Sequence, residues 1–136
     1  MSTFLKKTAI LVDGGFYRRR AQSLWGEKTA ADRATELYDY CIKHLFHKNE
    51  DRELYRIFYY DCPPAEKKVY HPLLKQTINL KESDIYTWSN LFLDELKNKR
   101  KVAVRLGELA EAQAKYLLGD GTIKKLCNGS LKIEDL

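Results

Sequence analysis

The chain is 136 residues long, with a formal charge of +5, 44% hydrophobic and 32% charged residues. That length holds one compact domain (residues 1–136), and the balance argues against disorder. The basic excess suits a polyanionic partner and a merely solvated surface about equally.

Cys41, Cys62 and Cys127 are scattered and lack paired ligand spacing, which disfavours a structural zinc site or a disulfide framework. Reduced thiols in a cytoplasmic compartment fit better. The first regular element is the apolar run Thr8 to Val12. It is too short for a signal peptide or a membrane span and ends on the charge of Asp13. Without alternation, the run reads as a strand buried on both faces, as in the centre of a parallel sheet.

Asp13, Gly14 and Gly15 break the strand, and FYRRRAQSLW then begins a helix. A second helix is predicted from Asp32 to Phe46, with Leu37, Cys41 and Leu45 at four-residue steps beside Tyr38, Ile42 and Phe46. A polar turn over Asn49 to Arg52 leads into an aromatic strand, Leu54 to Tyr60, which Asp61, Cys62 and two prolines terminate. Ala65 to Lys99 reads as helix in two pieces, the second starting at a cap formed by Ser83 and Asp84. Arg100 to Leu109 gives a third strand, with Val102, Val104 and Leu106 alternating against charged neighbours. The glycine-rich remainder reads as a hairpin or short irregular strands.

Strands alternating with helices predict an α/β fold with a mainly parallel sheet, whose sites gather beyond the carboxyl ends of the strands. Asp13 and Asp61 both occupy that kind of position. Carboxylates there can share a divalent cation such as magnesium, which needs only one or two protein carboxylates. Taken singly, each has a plainer reading: Asp13 as the cap of the following helix, and Asp61 as a turn residue. The run Arg18, Arg19, Arg20 offers phosphate contacts, although three consecutive arginines splay around a helix and at least one faces water. Lys67, Lys68, Lys75 and Lys81 around Tyr70 and His71 read better as a solvated face than as an RNA surface. The same holds for the cluster Lys97, Lys99, Arg100 and Lys101, and nothing supports a metal at His44 and His47.

Two segments carry a family resemblance. ILVDGGFYRRR (Ile10 to Arg20) resembles the opening motif of the NYN families, in particular the LabA-like or DUF88 branch. IFYYDCPP (Ile57 to Pro64) is similar to the second element of that branch, and VRLGEL (Val104 to Leu109) is similar in kind and in order. The resemblance implies a three-layer, PIN-like and Rossmann-like fold and magnesium- or manganese-dependent cleavage of RNA. On matching positions it implies Asp13 and Asp61 as catalytic and metal-binding acids, and with the basic helix it suggests Tyr17, Arg18 and Arg19 as RNA contacts.

Gly15 stands where many NYN proteins carry Asn, which agrees with the LabA-like branch. The family's later Lys-Gly-Val-Asp-like and Gly-Asp-Ser-Asp-like segments do not occur before the chain ends at KIEDL. Asp120 reads as a turn residue, and Glu134 and Asp135 as solvated. The expectation is therefore an N-terminal portion of the domain, incomplete at its C-terminus. An exposed sheet edge would then favour a homodimer or a partner that completes the fold.

Two other classes fit less well. A phosphatase with an aspartyl nucleophile would place a second Asp where Gly15 stands, and a dinucleotide-binding domain would need the GxGxxG spacing that is absent. An alternative to the nuclease is a binding module that keeps the fold without turnover.

Overall fold

The computed structural model describes residues 5–47, 50–108 and 119–135. Strand β1 (Lys6–Asp13) runs directly into helix α1 (Gly14–Trp25), followed by α2 (Ala30–Lys43). A two-residue strand β2 (Phe46–His47) precedes the long strand β3 (Glu50–Asp61). A hairpin, β4 (Lys68–His71) and β5 (Gln76–Asn79), leads through a 3-10 turn to α3 (Asp84–Lys97) and β6 (Val102–Leu106). A short helix α4 (Thr122–Cys127) follows.

The class is α/β with a mainly parallel sheet, as the sequence predicts. β3 is central, and both β1 and β6 pair with it in parallel. The predicted position of β1 is corrected: it lies beside β3 at the margin of the three parallel strands, with Leu11 66% exposed. A continuous apolar run does not reveal that only Ile10 and Val12 turn toward the core. β3 carries one extra residue opposite Thr8–Ala9, a local bulge.

The register sorts the sheet into two faces. Ile10, Ile57 and Val102 form one row of the inner face, and Val12, Tyr59 and Val104 form the next. Helices α2 and α3 close over these rows with Ala34, Leu37, Cys41, Phe92, Leu93 and Leu96. Tyr59 is fully buried and meets Phe92 edge-on at 5.7 Å, while Trp88 stacks on Phe92 at 5.1 Å. Burial pushes the Cys41 thiol up to about 11, so it serves as a small apolar filler. Helix α1 joins the same face through Tyr17. Among the described residues, α1, α2 and α3 lie on one face of the sheet and give two of the expected three layers.

Four predicted segments change. The second helix stops at Lys43, because Phe46 and His47 pair antiparallel with Asp51 and Glu50. Leu45 still reaches the core, but Phe46 is exposed. The expected polar turn is taken up by the start of β3 at residues 50–52, and Asn49 lies outside the described residues.

The first half of the segment from Ala65 to Lys99 is a hairpin and not a helix. Lys75 takes a left-handed φ of 52° in its turn, and buried His71 accepts the Leu74 amide on Nδ1 at 3.2 Å. The antiparallel pairing of Lys68–His71 with Gln76–Asn79 overrides the helix reading. At the C-terminus the expected strands give way to α4 after Gly121 at φ 77°, and residues 109–118 lie outside the described residues.

The predicted cap of α3 is as expected. Ser83 accepts the Tyr86 amide at 3.2 Å and donates its hydroxyl to the Leu80 carbonyl at 2.6 Å. Ser83→Ala is therefore expected to lower stability by about 1 kcal/mol. A urea titration would show this as a lower midpoint at unchanged slope.

Candidate functional site

The site is set by where two strands end. Asp13 closes β1 and stands opposite Tyr60, and Asp61 closes β3 opposite Leu106. The pleat separates them: Asp13 belongs to the row of exposed Tyr60, whereas Asp61 follows the parity of buried Tyr59. An ion shared by both would sit beyond the strand ends, above the edge of the sheet.

Asp13 is exposed, and its Oδ1 accepts the Phe16 amide at 3.2 Å, so the plain capping reading is correct. Gly14 is needed directly after it. A Cβ there would lie 2.5 Å from the Tyr59 ring and 2.7 Å from the Tyr60 carbonyl oxygen.

Asp61 is far more enclosed, with 8% of its side chain exposed. Its Oδ1 accepts from Arg18 Nη2 at 3.0 Å and from the Cys62 amide at 2.8 Å, and its Oδ2 accepts the Tyr59 hydroxyl at 2.8 Å. Burial, then the Asp61 carboxylate, holds the Tyr59 hydroxyl well above the usual tyrosine range, so it stays protonated and donates.

Arg18 thus already supplies a positive charge at Asp61. Its Nε is buried and has no hydrogen-bond partner among the described residues. Such a donor is costly to leave unmet. Arg18 also lies where two clefts meet. One, of about 740 Å³, includes Gly15, Arg19, Gln22 and Lys28 with Trp88. The other, of about 410 Å³, includes Asp61, Cys62, Pro63 and Tyr86.

Of the predicted RNA contacts, Arg18 and Arg19 line the first cleft and Arg20 is exposed. Tyr17 is placed differently. Its hydroxyl donates to the Arg33 carbonyl at 3.4 Å and to Glu36 at 3.3 Å, tying α1 to α2. Burial and then Glu36 raise its pKa far above the ordinary value. Glu36 also pairs with Lys28 and with buried Arg33, which donates to the Gly26 carbonyl. Burial opposes ionisation of Glu36, but these two cations outweigh it and hold the carboxyl below its usual range.

In the other basic runs Lys68, Lys75, Lys81, Lys97 and Arg100 are exposed, and two lysines hold structural contacts. Lys99 donates to Thr35 at 3.0 Å and Lys101 to the Leu54 carbonyl at 2.8 Å. His44 bonds the Tyr40 carbonyl at 2.8 Å, and His71 lies in the interior.

Among the described residues no group of three or more His, Cys, Asp and Glu converges as a metal cage. The two strand-end acids fit a magnesium- or manganese-class ion in kind, because such ions take oxygen ligands and retain several waters. Arg18 would have to yield its place on Asp61. Sequence reasoning missed Tyr59 as the buried donor to Asp61; its position two residues before the acid, on the same face of the strand, is the signal that could have found it. No protein-family pattern, curated protein or solved structure matches this chain.

Proposed function

We propose that this chain is an RNA-directed domain of the NYN, PIN-like kind that hydrolyses phosphodiester bonds with magnesium or manganese. One observation carries the reading: two acids, Asp13 and Asp61, close adjacent parallel strands on the side where α/β sites form. Asp13 and Asp61 would hold the ion, which supplies Lewis-acid polarisation of the phosphodiester and a more acidic water.

The remaining work falls to the chain's own residues. Arg18, with 32% of its side chain exposed, binds a phosphate oxygen of the substrate, and Arg19 adds charge along the same cleft. Phosphate capture by Arg18 frees Asp61 of its ion pair at the moment its carboxylate is needed. Tyr59 keeps that carboxylate oriented throughout. The three cysteines are free, which supports a reducing, cytoplasmic setting. No described helix is long and apolar enough to cross a membrane.

The expected result is cleavage of single-stranded RNA that depends on manganese or magnesium, is stopped by chelation and falls to background in Asp13→Asn. Cleavage that survives both treatments counts against the proposal. A second reading is favoured by the fully engaged Asp61, whose oxygens already accept from Arg18, Tyr59 and the Cys62 amide. On that reading the chain binds RNA or a protein without turnover; activity that appears only when a second chain supplies further acids would favour complementation over both readings.

A further inference from the structure

Three donors enclose the Asp61 carboxylate and leave only 8% of its side chain exposed: the Tyr59 hydroxyl, the Cys62 amide and Arg18 Nη2. The first two are fixed. Tyr59 is fully buried in the core, and the Cys62 amide is backbone directly after β3. Arg18 is held less firmly. It stands on α1 with 32% of its side chain exposed, and one hydrogen bond of 3.0 Å joins it to Asp61. Its Nε makes no hydrogen bond among the described residues, so the pair lacks the two-pronged contact by which a guanidinium holds a carboxylate best.

We propose that Arg18 is a displaceable counter-ion, a latch that keeps divalent cations off Asp61 until an RNA phosphate draws the guanidinium away. The proposal rests on the RNA-directed reading above and adds an order to it, with RNA ahead of the metal. Arg18 lines both the cleft that contains Asp61 and the larger cleft beside Arg19, so a side-chain rotation moves it from one to the other. Of the three groups on Asp61, it is the one that can leave without disturbing the core or the backbone.

Electrostatics sets the sign. A divalent ion arriving while Arg18 is in place would put two cations on one carboxylate, and like charges at that range repel. A phosphate that takes up Arg18 removes the opposition. Two ligands that both depend on opening the same ion pair tighten each other by the same factor. Metal and RNA are therefore coupled through Arg18, and removing its charge uncouples them.

Manganese binding to the full chain, read from the paramagnetic resonance signal of the free ion, tests this independently of turnover. The parent is expected to bind manganese about tenfold more tightly when a short phosphorothioate oligouridylate, confirmed intact on a gel, is present. Without the oligonucleotide, Arg18→Gln is expected to bind manganese about tenfold more tightly than the parent, and adding it should bring about twofold or less. Arg20→Gln removes the same charge from an exposed position on the same helix and is expected to change manganese affinity by less than about twofold. Circular dichroism confirms that each variant is folded, and the measurement on the parent needs no variant.

An Arg18→Gln chain that binds manganese no more tightly than the parent overturns the latch. So does an oligonucleotide that leaves the parent's affinity unchanged. An equal gain in Arg20→Gln also overturns it, because net charge alone would then account for the effect. The latch and the nuclease reading fail separately. If Arg18→Gln tightens manganese but the parent cleaves no RNA, the nuclease reading fails alone. If the parent cleaves with manganese while Arg18→Gln keeps the parent's affinity, the latch fails alone. Manganese binding by neither chain overturns both.

Discussion

Gly14→Ala is expected to destabilise the protein by about 1–3 kcal/mol, and Gly14→Val by more, because the added atoms overpack a rigid contact. Gly14 is the first residue of α1, pressed against the centre of the sheet. An added Cβ would meet the Tyr59 ring and hydroxyl at 2.5 Å and the Tyr60 carbonyl at 2.7 Å. Neither neighbour can retreat. Tyr59 is fully buried with its hydroxyl fixed on Asp61, and the carbonyl belongs to the central strand.

The adjacent glycine provides the control. A Cβ on Gly15 would find its nearest neighbours at 3.8 Å, so Gly15→Ala should change stability by no more than about 0.5 kcal/mol. Chemical denaturation of the two variants side by side checks the contrast, and equal effects would contradict the close approach of α1 to β3.

The second large effect is expected at Asp61. Asp61→Ala removes the acceptor of the Tyr59 hydroxyl, the Cys62 amide and Arg18 at one stroke. Leaving the buried Tyr59 hydroxyl unsatisfied alone costs about 1–3 kcal/mol. The Arg18 contribution is smaller, since 32% of that side chain meets water and solvent screens the pair. Adding Tyr59→Phe to Asp61→Ala removes the stranded hydroxyl, and the double variant is expected to be no less stable than Asp61→Ala. A double-mutant cycle in urea reads the coupling directly; simple additivity would mean that the Tyr59–Asp61 contact contributes nothing.

These two positions also show what a sequence can and cannot disclose here. The strand ends at Asp13 and Asp61 were legible because an apolar or aromatic run meeting Asp and a chain-breaking residue leaves few alternatives. The cap at Ser83 and the core stripe through Leu37 and Cys41 were legible for the same local reason. What escaped was decided by contacts distant in sequence. Which of two neighbouring glycines touches β3, which strand is central, and which side of β1 is covered all depend on pairing between segments about 45 residues apart. The hairpin at Lys68 to Asn79 was missed because its two strands are only four residues long and the left-handed turn at Lys75 is set by the pairing around it. Tyr17 looked like a surface aromatic beside arginines, yet Arg33 and Glu36, on the next helix, claim its hydroxyl.

The same limit applies to the candidate site. Sequence placed both acids at strand ends, but only the fold shows that Asp61 is held by Tyr59 and paired with Arg18 while Asp13 caps α1. Arg18 is therefore the link between the acidic edge and the cleft, a role that nothing in the run of three arginines distinguishes.

The most direct test of the proposed activity is single-stranded RNA cleavage by the purified chain, with and without manganese, beside Asp13→Asn. The account predicts manganese-dependent products from the parent and none from Asp13→Asn, with RNA affinity in EDTA retained by both. Products that persist without metal, or that Asp13→Asn forms at the parent's rate, would contradict it.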